Sequence, residues 1–224
     1  MSVLKVAALG VPVGVLASGS LFFYATRHIE AVQLSPSDSI FKSKYHQKYN
    51  PNNNPTVHDL HIRRVPILQI DPTLLQNQES LIERYTGGVW AGVGFSLQRI
   101  LLSYFSNQKA HELWRPAELL ESKYHPGTTI TNELVVLTKS QDRILIRGGD
   151  KVSKDGLRPM DALIELSVQL EPEENYVQFG FKSLFFQGLG TSERLPMPAF
   201  VVWLHDQYAK ALLESGVRYV LKER

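Results

Sequence analysis

Between Asp161 and Gln187, Ala162, Ile164, Leu166, Val168 and Leu170 alternate with Leu163, Glu165, Ser167 and Gln169. A period of two is expected of a strand with one buried face and one wetter face. Glu171-Pro172-Glu173-Glu174-Asn175 supplies turn residues, and aromatic and β-branched residues resume from Tyr176, so the stretch predicts an antiparallel hairpin. Ile130 to Thr138 and Arg143 to Gly148 predict a second hairpin around Lys139 to Asp142. His58 to Ile70 predicts a first strand, with Pro66 pointing to an edge or a bulge.

The helical signals are of a different period. Asp71-Pro72 reads as an N-cap followed by proline at the first helical position, opening an interrupted helical region from Thr73 to Phe105. Gly87, Gly88, Gly92 and Gly94 fall inside it. A glycine in a helix interior costs about 1 kcal/mol relative to alanine, so a break between two helices is expected there. The glycines suit either close packing of a bent helix on the sheet or a mouth that lets a ligand or membrane approach the backbone. Phe95 to Phe105 is amphipathic, with Leu97, Ile100, Leu101 and Tyr104 on one side. A last helix is expected from Ala199 to about Lys222, with Val201, Leu204, Tyr208, Leu212 and Ser215 along one face.

Ahead of these elements, Val6 to Tyr24 is nineteen residues without a charge, flanked by Lys5 and Arg27. About 20 apolar residues cross a bilayer, and Phe22, Phe23 and Tyr24 suit an interfacial belt. The expected organisation is therefore a membrane anchor over 1–27, a linker over 28–56 containing the Asn-Pro tract Asn50 to Pro55, and a domain over 57–224. Arg27, Lys42 and Lys44 favour the domain facing the cytosol. A signal peptide cleaved near Ala17-Ser18-Gly19, giving a secreted product, is the competing reading.

Composition removes several functions. Of 24 basic and 22 acidic residues, Lys5 and Arg27 flank the apolar tract, which leaves a neutral body. Without a basic stripe, nucleic acid is not an expected partner. Cysteine is absent, which excludes disulfides, thiolate metal sites and cysteine nucleophiles. His58 and His61 diverge on a strand, and His111-Glu112 is followed by Arg115 where a zincin has its second histidine, so no metal is expected. The glycine spacing is not that of a dinucleotide or phosphate loop, and no cofactor is expected. Nothing in the sequence bears on oligomeric state.

Strand, broken helical region, antiparallel strands and a long C-terminal helix make an α+β layer fold. This order, over Val57 to Lys222, resembles the helix-grip superfamily, the START and polyketide cyclase-like proteins, in which a curved antiparallel sheet wraps a C-terminal helix around an apolar cavity. Fewer strands are countable here than that family usually has, so a cystatin-like cone or another two-layer fold stays open. A domain of this kind behind a short anchor also looks like accessory proteins of fungal secondary-metabolite pathways.

The resemblance implies a hydrophobic small molecule in a cavity lined by Ile164, Leu166, Phe179, Phe181, Val201, Leu204 and Tyr208. Four ionisable residues become candidates for catalysis. His205 lies within the apolar stripe of the last helix, where it serves as a general base or as a core histidine bonded to a backbone carbonyl. Glu133 and Glu165 are flanked by apolar residues, and Arg147 ends the strand between them. A Glu165–Arg147 cross-strand pair would be structural, whereas an unpaired Glu165 would suit acid-base work. The expected function is a membrane-tethered, cofactor-independent cyclase or isomerase of a polyketide- or terpenoid-like molecule. A lipid or sterol carrier and a membrane-anchored assembly subunit are the alternatives.

Overall fold

The alternation over Asp161–Glu171 and its partner Tyr176–Phe186 folds as one long hairpin, with Asp161 opposite Phe186 and Glu171 opposite Tyr176. Asn175 closes the turn in the left-handed region, at φ 60°, a conformation asparagine tolerates better than most residues. The structure, a computed structural model, describes residues 22–106 and 108–222.

Eight strands are present among the described residues: β1 (Glu30–Val32), β2 (Thr56–Pro66), β3 (Glu112–Leu113), β4 (Thr129–Ile130), β5 (Leu134–Lys139), β6 (Arg143–Gly148), β7 (Asp161–Glu171) and β8 (Tyr176–Phe186). They form a single sheet in the order β1-β2-β8-β7-β6-β5-β4-β3. Neighbours are antiparallel except β3 and β4, so the sheet is mixed. The short helices α1 (Ser39–Lys42), α2 (Lys44–Tyr49) and α3 (Pro72–Leu75) precede the long pair α4 (Gln78–Ala91) and α5 (Val93–Phe105). After α6 (Pro116–Glu121), the chain closes with α7 (Ala199–Arg218). The α+β class and the C-terminal helix agree with the sequence pattern.

The main core lies between the helical layer and one sheet face, where Ile164, Leu166, Val168, Phe179 and Phe181 meet Tyr85, Val89, Leu212 and Val217. A second cluster on the opposite face joins Leu163, Leu184 and Phe186 to Leu34, Ile40 and Tyr49. The stretch expected as a tether is therefore folded. Residues 30–32 pair with β2, and α1 and α2 lie over the sheet. This explains a second departure: β7 was expected to be wet on one side, yet its first half is buried on both faces. Pro66 ends β2 beyond the reach of β1, which pairs only with Leu60 to Ile62, so its missing N–H costs no ladder bond.

The glycine cluster is a packing device. Gly92 separates α4 from α5. A Cβ on Gly94 would lie 2.8 Å from the Ala211 carbonyl oxygen, and one on Gly88 2.8 Å from the Tyr219 Cβ, so small residues set the approach of α4 and α5 to the last helix. The helical faces are a third departure. Leu212 and Ser215 are buried, but Val201 and Leu204 are exposed, because α7 buries only its C-terminal half. The apolar side of α5 also faces outward. Among the described residues no helix is long and apolar enough to cross a membrane. Of the stretch read as an anchor, residues 22–26 are helical and Arg27 lies in a turn, while residues 1–21 are outside the described residues.

Candidate functional site

Strand alternation decides what meets α7. Asp59, His61 and Arg63 share the helix-side face of β2, at positions two apart, while His58 turns the other way and packs on Phe41, ring centroids 5.1 Å apart. On α7, Asp206, Lys210, Glu214 and Arg218 follow one another at intervals of four and so line one side of the helix. The two polar rows interlock. His61 Nε2 lies 2.7 Å from Asp206 Oδ1, and Arg63 pairs with Glu214. Lys210 and Arg218 donate to Asp206 and Glu214, each at 2.9 Å.

His205 heads this ladder. Its Nε2 is 2.9 Å from Asp59 Oδ2 and 2.9 Å from Ser183 Oγ, and Ser183 donates to the same Asp59 oxygen at 2.6 Å. Burial pushes the Asp59 carboxyl up. The hydrogen bond from His205, the adjacent His61 imidazole and the Ser183 hydroxyl outweigh it and hold the group well below the usual carboxylate range. An ionised carboxylate only accepts, so the His205 proton belongs on Nε2. Its Nδ1 is left without a protein hydrogen-bond partner among the described residues.

Ser183, His205 and Asp59 are the residue types of a hydrolase triad, but the wiring differs. In a triad the acid holds one ring nitrogen and the serine uses the other. Here both meet Nε2, and the serine proton is directed at Asp59. Nothing activates Ser183 as a nucleophile. What remains is a carboxylate-imidazole dyad with one basic nitrogen uncommitted.

His205 also lines a cavity of about 220 Å³ between α5, α7 and the sheet. Trp90, Phe95, Leu134, Ile164, Phe181, Phe185 and Leu212 make most of the wall, and Gln98, Glu133 and Tyr208 are its other polar members. The Phe185 ring stands edge-on to His205, centroids 4.6 Å apart. Tyr208 donates to Gln98 Oε1 at 2.6 Å, and burial pushes its phenol well above the usual value, so it remains a donor at neutral pH. With its oxygen taken, Gln98 keeps its amide N–H groups for a ligand. The Trp90 Nε1 is buried without a partner. An apolar cavity of about 150 Å³ holds benzene, so this space suits a compact ring system.

The structure therefore brings His205, Glu133, Ile164, Phe181 and Tyr208 to one cavity and distributes the other candidates elsewhere. Leu166 and Phe179 belong to the core below, Phe179 against Tyr85 at 5.1 Å between centroids. Val201 and Leu204 lie exposed on the first turns of α7. Glu165 and Arg147 are on the opposite face of the sheet, and the cross-strand pair between them is not formed. Leu145 stands opposite Glu165, and Leu163 opposite Arg147. Glu165 instead accepts from Lys182 at 2.8 Å, and Lys182 also binds Asp38 at 3.0 Å. Arg147 grips Asp161 at 2.9 and 2.6 Å with its guanidinium 3.5 Å from the Tyr49 ring centre.

Asp59, His61, Ser183, Gln98 and Asp206 were not foreseen. The usable signal was the Asp59-x-His61-x-Arg63 alternation, three charge-bearing positions on one face of a strand. Compared with protein-family models and with curated proteins, the chain matches none.

Proposed function

We propose that this chain binds a small hydrophobic molecule in the cavity beneath α7 and moves a proton on it, in the manner of a cofactor-independent isomerase or cyclase. One observation carries the reading: His205 stands in an apolar wall with Nε2 tied to a carboxylate held in its ionised form, which leaves Nδ1 as the base. Nδ1 takes a proton from a carbon acid, Asp59 balances the imidazolium, and the proton returns to another carbon, so no electrons enter or leave. Gln98 amide donors suit an oxygen on which charge develops. The order of strands and the final helix support the helix-grip likeness as part of this reading, and a polyketide- or terpenoid-like substrate belongs to the same proposal. So does a membrane tether in the uncharged N-terminal tract with the domain on the cytosolic side.

The predominantly apolar wall favours a carrier as the second reading. A nitrobenzisoxazole separates the two, because removal of its ring proton breaks the N–O bond and releases a coloured cyanophenolate. The full chain is expected to accelerate this release, His205→Ala to abolish the acceleration and Asp59→Asn to weaken it. A rate equal to buffer, or an undiminished rate in His205→Ala, would leave the carrier.

A further inference from the structure

An amphipathic helix normally turns its apolar side inward, and α5 does not. Leu97, Ile100, Tyr104 and Phe105 on α5, with Phe200 and Trp203 on α7, are each at least 50% exposed. The two helices run antiparallel, since the Gly94 N–H donates to Ser215 Oγ and Gln98 accepts from Tyr208. The C-terminal half of α5 thus lies at the same end of the pair as the first turns of α7, which gathers these exposed apolar side chains at one end of the α5–α7 pair.

This face is chemically suited to lipid. Arg99 is the only charged residue of α5, and its guanidinium folds back onto the Trp90 carbonyl at 2.6 Å. The Ser96 and Ser103 hydroxyls donate back to the Val93 and Ile100 carbonyls at 2.8 and 2.7 Å, which spends their donors within the helix. A protein partner would be met by about one hydrogen bond per 100–200 Å², and with Arg99, Ser96 and Ser103 bonded within the chain, α5 has only the Gln98 amide and the Tyr104 hydroxyl to offer. Trp203 and Tyr104 are the side chains favoured at a headgroup boundary.

The course of the chain points to the same occupant. Residues 6–21 carry no charge, and the described chain begins at Phe22 in a groove of about 710 Å³ shared with Leu97 and Leu101. Because β1 already pairs in the sheet at Glu30, no slack linker separates that tract from the apolar face. We infer that the α5–α7 face docks the body of the protein flat on a lipid bilayer. This contact is additional to any tether and is independent of what the cavity binds.

The chain has no cysteine, so single labelled positions are unambiguous. The full chain carrying Ile100→Cys, Tyr104→Cys or, on the distant β7–β8 turn, Glu173→Cys is labelled with an environment-sensitive dye and reconstituted in phosphatidylcholine vesicles with brominated or plain acyl chains. Dye at positions 100 and 104 is expected to shift to shorter wavelength and be quenched by the brominated chains, and dye at 173 to show neither. Trp203 is a label-free check: Trp90 and Trp114 are buried, so quenching of intrinsic emission should disappear in Trp203→Phe. Equal responses at all three labelled sites overturn the inference. Pyrene excimer emission at position 100 in place of quenching also overturns it and assigns the face to a second copy.

Discussion

Arg147 and Asp161 are a buried pair in which each guanidinium nitrogen has a hydrogen-bond partner. Besides the two bonds between them, Arg147 donates to the Asp155 and Gly156 carbonyls and thereby shapes the loop that follows β6. Removing one partner of such a pair strands the other charge and costs about 3–5 kcal/mol. Asp161→Ala is expected to lose stability in that range, read as a lower urea midpoint at unchanged slope, with Arg147→Ala similar. A loss below about 1 kcal/mol would mean the loop relaxes and hydrates the survivor. The sequence marked Arg147 and Glu165 as polar residues among apolar ones, and both are buried. It did not reveal that Asp161 and Lys182 neutralise them, because ion partners on neighbouring strands are set by register. His205 was legible for the opposite reason: its position within an apolar helical stripe follows from the helical period alone. Its partner Asp59 is remote in sequence and came into view only when the last helix was placed over β2.

The helices illustrate how packing overrides propensity. Gly216 lies within α7, where alanine would ordinarily gain about 1 kcal/mol. A Cβ there would stand 2.5 Å from Val89 Cγ2 and 2.6 Å from the Tyr85 ring. Overpacking a filled contact costs about 1–3 kcal/mol, so Gly216→Ala is expected to lower the melting temperature despite the better helix former. A rise would show that α4 yields without cost. The glycine run of α4 and α5 was readable as a break and as a place of close packing, but the surface it packs on is α7 and its C-terminal turn, not the sheet that was expected. The amphipathic character of α5 was equally readable, but not its direction. Periodicity states that a helix has an apolar side, while only its neighbours determine whether that side is covered.

At the scale of the molecule, the ladder between β2 and α7 ties stability to pH. Asp59 sits below its ordinary 3.8 in the folded chain. Asp206 is also lowered, burial being outweighed by bonds from Lys210 and His61. A depressed carboxyl binds its proton more weakly in the folded than in the unfolded chain. Its contribution is therefore complete above the unfolded value and is lost as pH falls through the folded one. The urea midpoint is expected to decline as pH drops below about 4, and Asp59→Asn to flatten that decline. An identical acid profile for both proteins would place the acid-sensitive groups elsewhere. The amino-acid sequence by itself determined the α+β class, the two hairpins, the break at the glycines and the uncharged N-terminal tract, because each is a matter of local period or residue chemistry. Tertiary structure alone decided that residues 30–49 fold over the sheet, that Glu165 and Arg147 are on the face away from the cavity, and that Asp59 meets His205. These depend on which strands become neighbours and which faces are covered, and such long-range contacts leave no periodic trace along the chain.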